Sequence, residues 1–171
     1  MSKKLNKKEI EKFSRQIILK NVGALGQKKI QEAKVLIIGM GGLGCPAAEF
    51  LTRSGIGTLG LADYDKVGLS NIHRQILYSE KDINKSKVKI SKKKLNEINP
   101  KTRINIFDYK LDKIKLNKII KDYDYIIDGT DNFESKFLIN DLSLKYKKFL
   151  VAGAISKFDG HIFNFDFKIK N

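Results

Sequence analysis

Glycines and carboxylates at regular intervals along the chain could together bind a phosphorylated ligand. Gly39, Gly41 and Gly44 fit the spacing G-x-G-x-x-G and follow a short apolar run. The missing side chains let a backbone turn sharply and approach a pyrophosphate at the positive end of a helix. The pattern serves NAD, FAD and ATP, and it also recurs where glycines only allow a strand to pack closely on a helix. The glycines therefore predict a nucleotide site, with close packing as the alternative.

A carboxylate follows at the spacing at which such sites hold a ribose. A second apolar run, residues 58–62, ends in Asp63, Tyr64 and Asp65. In dinucleotide-binding folds an acid about 20 residues beyond the glycines accepts hydrogen bonds from ribose hydroxyls. We therefore expect Asp63 to contact a ribose. The alternative is that both aspartates are solvated loop residues.

The charged residues favour nucleotidyl transfer over hydride transfer. Nucleotidyl transfer needs cations on the phosphates and an acid for magnesium. Arg15, Arg74 and Lys87 are candidate phosphate ligands, and Asp131, just after an apolar run, is a candidate Mg²⁺ ligand. The arginines could instead be surface residues, Lys87 one lysine among many and Asp131 a helix N-cap. An NAD-dependent oxidoreductase is the contrasting hypothesis, and it leaves the charged residues without a role.

Apolar segments of two periodicities predict the elements that would position these groups. We expect strands at residues 35–38, 58–62, 103–107, 123–127 and 149–152, and helices at residues 7–20, 45–54, 86–99, 116–121 and 133–146. The first helix should place Ile10, Phe13, Ile17 and Ile18 on one side, and a short helix should run through Ile30. Residues 71–78 should be a short helical or irregular stretch, and residues 160–168 an antiparallel hairpin or edge strand.

This order predicts an α/β fold with a Rossmann-like, doubly wound, mostly parallel sheet and an antiparallel edge strand or hairpin near the C-terminus. Ligands of such sheets bind outside the carboxyl ends of the strands. The loops at residues 39–44, 63–74 and 128–132 should therefore face one crevice.

Length and composition are typical of a single domain with its own core. We expect one domain over residues 1–171, with N-terminal helices that carry Arg15 at residues 1–32 and the Rossmann-like core at residues 33–171. No apolar stretch approaches the ~18 residues that cross a bilayer, so we expect a cytoplasmic protein without a membrane segment. The single cysteine, Cys45, excludes an internal disulfide and a multi-cysteine zinc site. We expect it to be a packed side chain.

The chain is strongly basic, with 34 Lys and Arg against 19 Asp and Glu and a formal net charge of +15. Binding to nucleic acid would need these cations on one face. They are instead scattered along the whole chain, which indicates a general lysine bias. We therefore disfavour a nucleic-acid partner, and an acidic protein partner fits the charge somewhat better.

Six ordered motifs resemble the amino-terminal, nucleotide-binding part of the ThiF/MoeB/HesA family, the bacterial relatives of ubiquitin-activating enzymes. The resemblance runs from about residue 13 to the last residue. The motifs are Ser14-Arg15-Gln16-Ile17, Gly39-Met40-Gly41-Gly42-Leu43-Gly44, Asp63-Tyr64-Asp65, Ser70-Asn71-Ile72-His73-Arg74-Gln75, Lys87-Val88 and Thr130-Asp131-Asn132.

The resemblance implies ATP- and Mg²⁺-dependent adenylation of the C-terminal glycine carboxylate of a ubiquitin-like sulfur carrier protein, in thiamine or molybdopterin-type cofactor biosynthesis. It implies that Arg15 acts as an arginine finger in the site of another subunit, and hence a homodimer. The remaining implied contacts are the nucleotide for Gly39, Gly41, Gly42 and Gly44, the ribose for Asp63, ribose and phosphates for Ser70, Asn71, Arg74 and Lys87, and Mg²⁺ for Asp131 with Asn132 beside it.

The chain also departs from the family pattern. Family members are typically longer, and the paired Cys-x-x-Cys motifs that hold their zinc are absent here. We therefore consider a truncated or split member that binds ATP without independent catalysis, with a separate chain supplying the carrier-binding half. A nucleotide-sensing or dimerising module is a related alternative.

Relatives that activate and cyclise the carboxylate of threonylcarbamoyladenosine in tRNA are a further alternative. Such relatives could use the positive charge. They generally lack the Arg-Gln-Ile start and the Thr-Asp-Asn triplet, so the resemblance favours the sulfur-carrier group.

Overall fold

Six strands form one sheet at the centre of the computed structural model, which describes residues 5–169. Their order across the sheet is β3-β2-β1-β4-β5-β6. Strands β1 to β5 run parallel, and β6 pairs antiparallel with β5 at one edge. This arrangement confirms the predicted fold class. The strands are β1 (Lys34–Ile38), β2 (Thr58–Ala62), β3 (Arg103–Phe107), β4 (Tyr125–Asp128), β5 (Phe149–Ser156) and β6 (Asp159–Asp166).

Helices precede β1 and connect the parallel strands. They are α1 (Lys7–Lys12), α2 (Ser14–Ile17), α3 (Gly23–Glu32), α4 (Gly44–Ser54), α5 (Lys87–Ile98), α6 (Lys113–Ile119) and α7 (Phe133–Lys145). Short 3₁₀ turns occupy Leu69–Asn71, Glu80–Asp82 and Ile120–Asp122. Helix α6 begins three residues earlier than predicted because the Asp112 side chain accepts a hydrogen bond from the Lys115 amide and caps it.

Alternate residues of β1 pack into two separate cores. Val35 and Ile37 contact the core beneath α4 and α5, which includes Val88 of α5. Leu36 and Ile38 face the other core, built with residues of α6 and α7 such as Leu116 and Ile139. Burial on both faces explains why this strand is a continuous apolar run in the sequence.

The prediction of one helix over residues 7–20 is wrong. Helix α1 ends at Lys12, and α2 starts again at Ser14. Between them Phe13 turns into the core against Gly55, where a β-carbon would lie 2.5 Å from the Phe13 ring. Ile10 and Ile18, expected on the buried side, are exposed. The glycine leaves a space that Phe13 fills only if the helix is interrupted.

The edge of the sheet also differs in extent from the prediction. Strand β5 continues to Ser156 because it pairs residue by residue with β6. Strand β4 begins at Tyr125, and Tyr123 instead packs its ring over Gly60. Within residues 5–169 no helix combines the length and apolarity that crossing a membrane requires.

Candidate functional site

The loops after β1 and β4 touch each other at the point where the strand order reverses. Gly39 has a φ of +90°, and a β-carbon there would lie 2.8 Å from the Gly129 carbonyl oxygen. The Gly129 amide donates to the Ile38 carbonyl at 2.9 Å. Neighbouring strands whose connections leave in opposite directions open a crevice at this edge, where ligands of doubly wound sheets bind. The glycine turn therefore lines that crevice.

Asp63 ties the end of β2 to the glycine turn. One carboxylate oxygen accepts the Met40 amide at 2.7 Å, and the other accepts the Asp65 amide at 2.8 Å. A carboxylate has about four acceptor positions, so this contact leaves capacity for a ribose hydroxyl. The structure thus brings Asp63 to the glycine turn, as its proposed role requires.

The segment 70–75 places Arg74 over the same turn. Its guanidinium donates to the Ser70 carbonyl at 2.8 Å, and a β-carbon at Gly42 would lie 3.7 Å from Arg74 Cγ. The Asn71 side chain accepts the Gly68 amide at 3.0 Å, which closes the 3₁₀ turn that carries it. Arg74 is exposed, so its remaining donors are available to an anion on the turn.

Lys87, the first residue of α5, is buried to 5% exposure. Its ammonium lies 3.0 Å from an Asp65 carboxylate oxygen, and its amide donates to the Asp65 carbonyl at 3.1 Å. Burial of a lysine requires an anionic partner. Asp65 supplies that partner, which holds Lys87 against the loop that carries Asp63.

Asn132, not Asp131, caps α7. Its side-chain oxygen accepts the Ser135 amide at 2.9 Å. Asp131 is exposed, and among the described residues its carboxylate has no hydrogen-bond or ion-pair partner. Across residues 5–169, no three His, Cys, Asp or Glu side chains cluster as a self-contained metal site. One carboxylate fits a magnesium ion whose other ligands are phosphate oxygens and waters.

Sequence reasoning missed a buried ion pair beneath this loop. Asp128, 2% exposed, accepts hydrogen bonds from the Thr130 amide and hydroxyl at 2.9 and 2.6 Å. Its other oxygen lies 3.0 Å from the Lys136 ammonium, which also donates to the Gly153 carbonyl at 2.7 Å. The contacts fix the loop that presents Asp131. The position of Asp128 at the end of a buried strand was the one available signal, because Lys136 is one of many lysines.

Arg15 is the one predicted site residue that lies away from the crevice of its own chain. Arg15 lies two residues after Phe13, whose ring packs on Gly55 at the C-terminal end of α4. Helix α4 starts at the glycine turn and has 11 residues, a length of about 16 Å at 1.5 Å per residue. The helix length therefore separates Arg15 from the other candidate residues.

A cavity of the described structure lies away from this crevice. It has a volume of about 460 Å³ and lies at the opposite edge of the sheet, where Phe13, Ile56 and Pro100 form its apolar floor. Lys8, Lys12, Glu9 and Lys101 line its rim. None of the residues that line this cavity belongs to the candidate site.

Comparison with known proteins gives a consistent result over nearly the whole chain. The model of the ThiF family matches residues 13–171. The chain is 42% identical over 164 residues to a probable molybdopterin-synthase adenylyltransferase of Gracilaria tenuistipitata var. liui, covering 96% of this chain and 46% of that protein. It is 37% identical over 156 residues to a sulfur carrier protein adenylyltransferase of Thermus thermophilus, covering 91% and 58%. The chain therefore spans about half the length of these curated relatives.

Among solved structures, the chain resembles the E. coli tRNA N6-threonylcarbamoyladenosine dehydratase TcdA, with a TM-score of 0.81 and 26% identity. The match covers 90% of this chain and 65% of that one. The family model spans most of the chain, including the residues that line the crevice. The chain belongs to the ThiF family.

Proposed function

We propose that the chain uses ATP and Mg²⁺ to adenylate the C-terminal glycine carboxylate of a ubiquitin-like sulfur carrier protein. The observation that carries this proposal is the convergence of Asp63, Arg74 and Asp131 on one glycine-lined edge of the sheet. The names of the curated relatives, both adenylyltransferases, support it. A cytoplasmic location stays part of the proposal.

The proposed chemistry is positioning and neutralisation of charge. A carboxylate must approach the α-phosphate of ATP, and pyrophosphate must leave, so two anions meet in the crevice. Arg74 offers forked donors and Lys87 a point charge to the phosphates. When bound, Mg²⁺ held by Asp131 would neutralise further phosphate charge. Asp63 would orient the ribose, and backbone amides of the glycine turn would face the phosphates.

We assign Arg15 to the site of a second copy of the chain. It lies at the far end of α4 from the glycine turn of its own chain, so an interaction with phosphates requires another subunit. A symmetric dimer supplies each site with one such arginine. The homodimer is therefore part of the proposal.

A sulfur carrier is favoured over tRNA as the substrate. The structural likeness to TcdA is at 26% identity, whereas the sulfur-carrier relatives are at 37% and 42%. The relative from Gracilaria favours a molybdopterin-type pathway over thiamine biosynthesis. Transfer to tRNA remains the competing outcome of the assay below.

The second candidate function is ATP binding without independent catalysis. The matched residues cover 46% and 58% of the two relatives. In this case a separate chain would supply the carrier-binding half and any zinc ligands. Exchange activity that appears only after such a chain is added would favour this candidate.

Magnesium-dependent exchange between ATP and pyrophosphate tests the proposal. The chain is incubated with purified carriers that end in Gly-Gly, and with tRNA in a parallel arm. We expect carrier-dependent exchange that falls by about 10²-fold or more in Arg74→Ala and Asp131→Ala. Arg53→Ala, which removes an exposed arginine at the far end of α4, is the matched control and should retain activity. Carrier-independent or tRNA-dependent exchange would contradict the substrate assignment.

Mixing two inactive variants tests the role of Arg15. Arg15→Ala and Arg74→Ala homodimers should each be inactive. After subunit exchange, half of the dimers contain one site with both arginines, so about one quarter of the wild-type rate should return. No recovery in a mixture whose subunits demonstrably exchange would place Arg15 outside the partner site.

A further inference from the structure

A buried network of hydrogen bonds lies directly beneath the glycine turn and involves none of the residues to which a role in the proposed site is assigned above. The Tyr78 hydroxyl donates to the Met40 carbonyl at 2.9 Å and lies 3.1 Å from the Ser91 hydroxyl. The Cys45 thiol donates to the same carbonyl at 3.4 Å. Tyr78 is 5% exposed, and Ser91 and Cys45 are fully buried. The turn is therefore held from within the core as well as from Asp63.

The chemistry of the groups determines which one donates in each hydrogen bond of this network. A carbonyl only accepts, so the single Tyr78 proton is used on Met40. The Ser91 hydroxyl must then donate to the Tyr78 oxygen. Burial raises the pKa of the Tyr78 hydroxyl and raises the pKa of the Cys45 thiol to about 11, so both stay neutral donors near pH 7. The Ser91 hydroxyl therefore donates to the Tyr78 oxygen, and the Tyr78 hydroxyl donates to the Met40 carbonyl.

Hydrogen bonds thereby hold both the backbone amide and the backbone carbonyl of Met40. Its amide donates to Asp63, and its carbonyl receives Tyr78 and Cys45. Met40 lies between Gly39 and Gly41, whose missing side chains leave the turn little steric restraint of its own. Hydrogen bonds from the core replace that restraint, and they orient the amides that follow.

Ser91 extends the connection to the lysine that would bind phosphate. Lys87 and Ser91 are four residues apart on α5, so they lie on the same face of the helix. Both are buried on that face. The two hydrogen bonds that link Ser91 to Tyr78 and Tyr78 to Met40 therefore set the distance between α5 and the glycine turn.

We propose that Tyr78 is a positioning residue that couples the glycine turn to α5 and so holds the turn amides and Lys87 at the separation a triphosphate requires. This inference rests on the proposed nucleotide site. It adds a residue outside the six sequence motifs, and Tyr78 acts through Met40 and Ser91 without contact to the ligand.

Tyr78→Phe, which removes one hydroxyl and keeps the ring, tests the proposal. Tyr123→Phe is the matched control because Tyr123 is also buried and its hydroxyl accepts one side-chain bond, from Asn105, at 3.2 Å. Tyr123 precedes β4 at the opposite edge of the sheet. We expect Tyr78→Phe to weaken Mg-ATP binding about five- to tenfold, the effect of one hydrogen bond, with Tyr123→Phe unchanged. Equal effects of the two variants on ATP affinity would overturn the proposal.

A double-variant cycle with Lys87→Met separates positioning from a general loss of stability. If Tyr78 acts through the placement of Lys87, the Tyr78→Phe loss in ATP affinity should shrink when Lys87 is already absent. Fully additive losses would overturn the coupling to α5.

Amide hydrogen exchange of the nucleotide-free chain gives a readout that does not depend on ATP. Amides of residues 40–43 should exchange faster in Tyr78→Phe than in wild type or Tyr123→Phe. Unchanged exchange would overturn the restraint on the turn. If the wild type fails to bind ATP while this difference is present, the proposed function fails and the restraint stands.

Discussion

Two parts of the sheet, the parallel strands around β1 and the antiparallel β5–β6 edge, are both joined by backbone hydrogen bonds and differ in what covers them. In β1 four of five residues are buried, the Asp63 side chain joins the loops after β1 and β2, and the Asp128–Lys136 ion pair joins the end of β4 to α7. We name these strands and loops the packed flank. Residues 155–166, which we name the exposed hairpin, pair within the β5–β6 ladder except at the turn residues Lys157 and Phe158, yet every one is exposed. Strand pairing alone therefore does not create a core or a site, because both require side-chain burial.

The difference extends to the polar residues. In the packed flank Asp128 and Lys87 are buried and each has an opposite charge within 3.0 Å. In the exposed hairpin the large side chains Ile162 and Phe163 are open to solvent. We expect substitutions in the first region to change stability strongly, and matched substitutions in the second to change it little.

The largest effect is expected for Asp128→Ala. Its removal leaves the Thr130 donors and the Lys136 ammonium without their acceptor, and breaking a buried pair costs about 4 kcal/mol. Asp166→Ala is the control in the exposed hairpin and should change the free energy of unfolding by no more than about 0.5 kcal/mol. Urea unfolding measures both values. Similar losses for the two variants would erase the distinction between the regions.

The second-largest effect on stability is expected for Gly44→Ala, with Gly160→Ala as its control. A β-carbon at Gly44 would overlap the Gly39 carbonyl oxygen, so Gly44→Ala should cost about 3 kcal/mol as the turn and α4 separate. A β-carbon at Gly160, in the exposed hairpin, meets no atom within 4 Å. Gly160→Ala should therefore be close to neutral. Thermal unfolding of the two variants compares them, and a neutral Gly44→Ala would mean that the turn tolerates the displacement.

The third-largest effect on stability comes from the Asp82 carboxyl group and depends on pH. Burial opposes ionisation of Asp82, but hydrogen bonds from Lys94 and Ser79 outweigh it and lower the pKa of Asp82 to about 2. A pKa below the unfolded value of about 3.9 stabilises the fold by about 2 kcal/mol above that pH, and this contribution is lost as the pH falls toward 2.

Urea unfolding of wild type and Asp82→Asn between pH 7 and pH 3 measures this contribution. The difference between them should be full at pH 7 and shrink below about pH 4. Lys94→Met should remove most of the same contribution. A difference that is constant across the range would assign it to packing instead of charge.

The smallest effect on stability belongs to the exposed hairpin itself. Ile162 is 76% exposed, so Ile162→Lys should leave the free energy of unfolding within about 0.5 kcal/mol of wild type. It should nevertheless lower the fluorescence of a dye that binds apolar surface, because Ile162 is a large apolar side chain open to solvent. Dye fluorescence that stays unchanged would place the apolar surface elsewhere.

The sequence was sufficient for most of the architecture. Apolar runs such as residues 35–38 and 58–62 are continuous because their strands are buried on both faces, and all five predicted parallel strands are present. The predicted interruption-free helix over residues 7–20 failed because the space beside Gly55 belongs to a distant segment. Periodicity within a segment carries no information about such a space.

The candidate site could be predicted in part. The glycine spacing and Asp63 have local patterns, and the structure brings them within 2.7 Å through the Met40 amide. The roles assigned to these residues stay predictions. Lys136 and Tyr78 have no local pattern, since a lysine in a lysine-rich chain and a tyrosine after an apolar residue are ordinary. Their importance follows only from their partners.

The sequence by itself determined the order of strands and helices, the glycines that permit the turn and the set of charged side chains. These properties depend on residues that are near one another along the chain. The tertiary structure alone decided that Asp65 holds Lys87 and that Arg15 lies at the far end of α4. Both depend on packing between segments that are distant along the chain and that no local pattern relates.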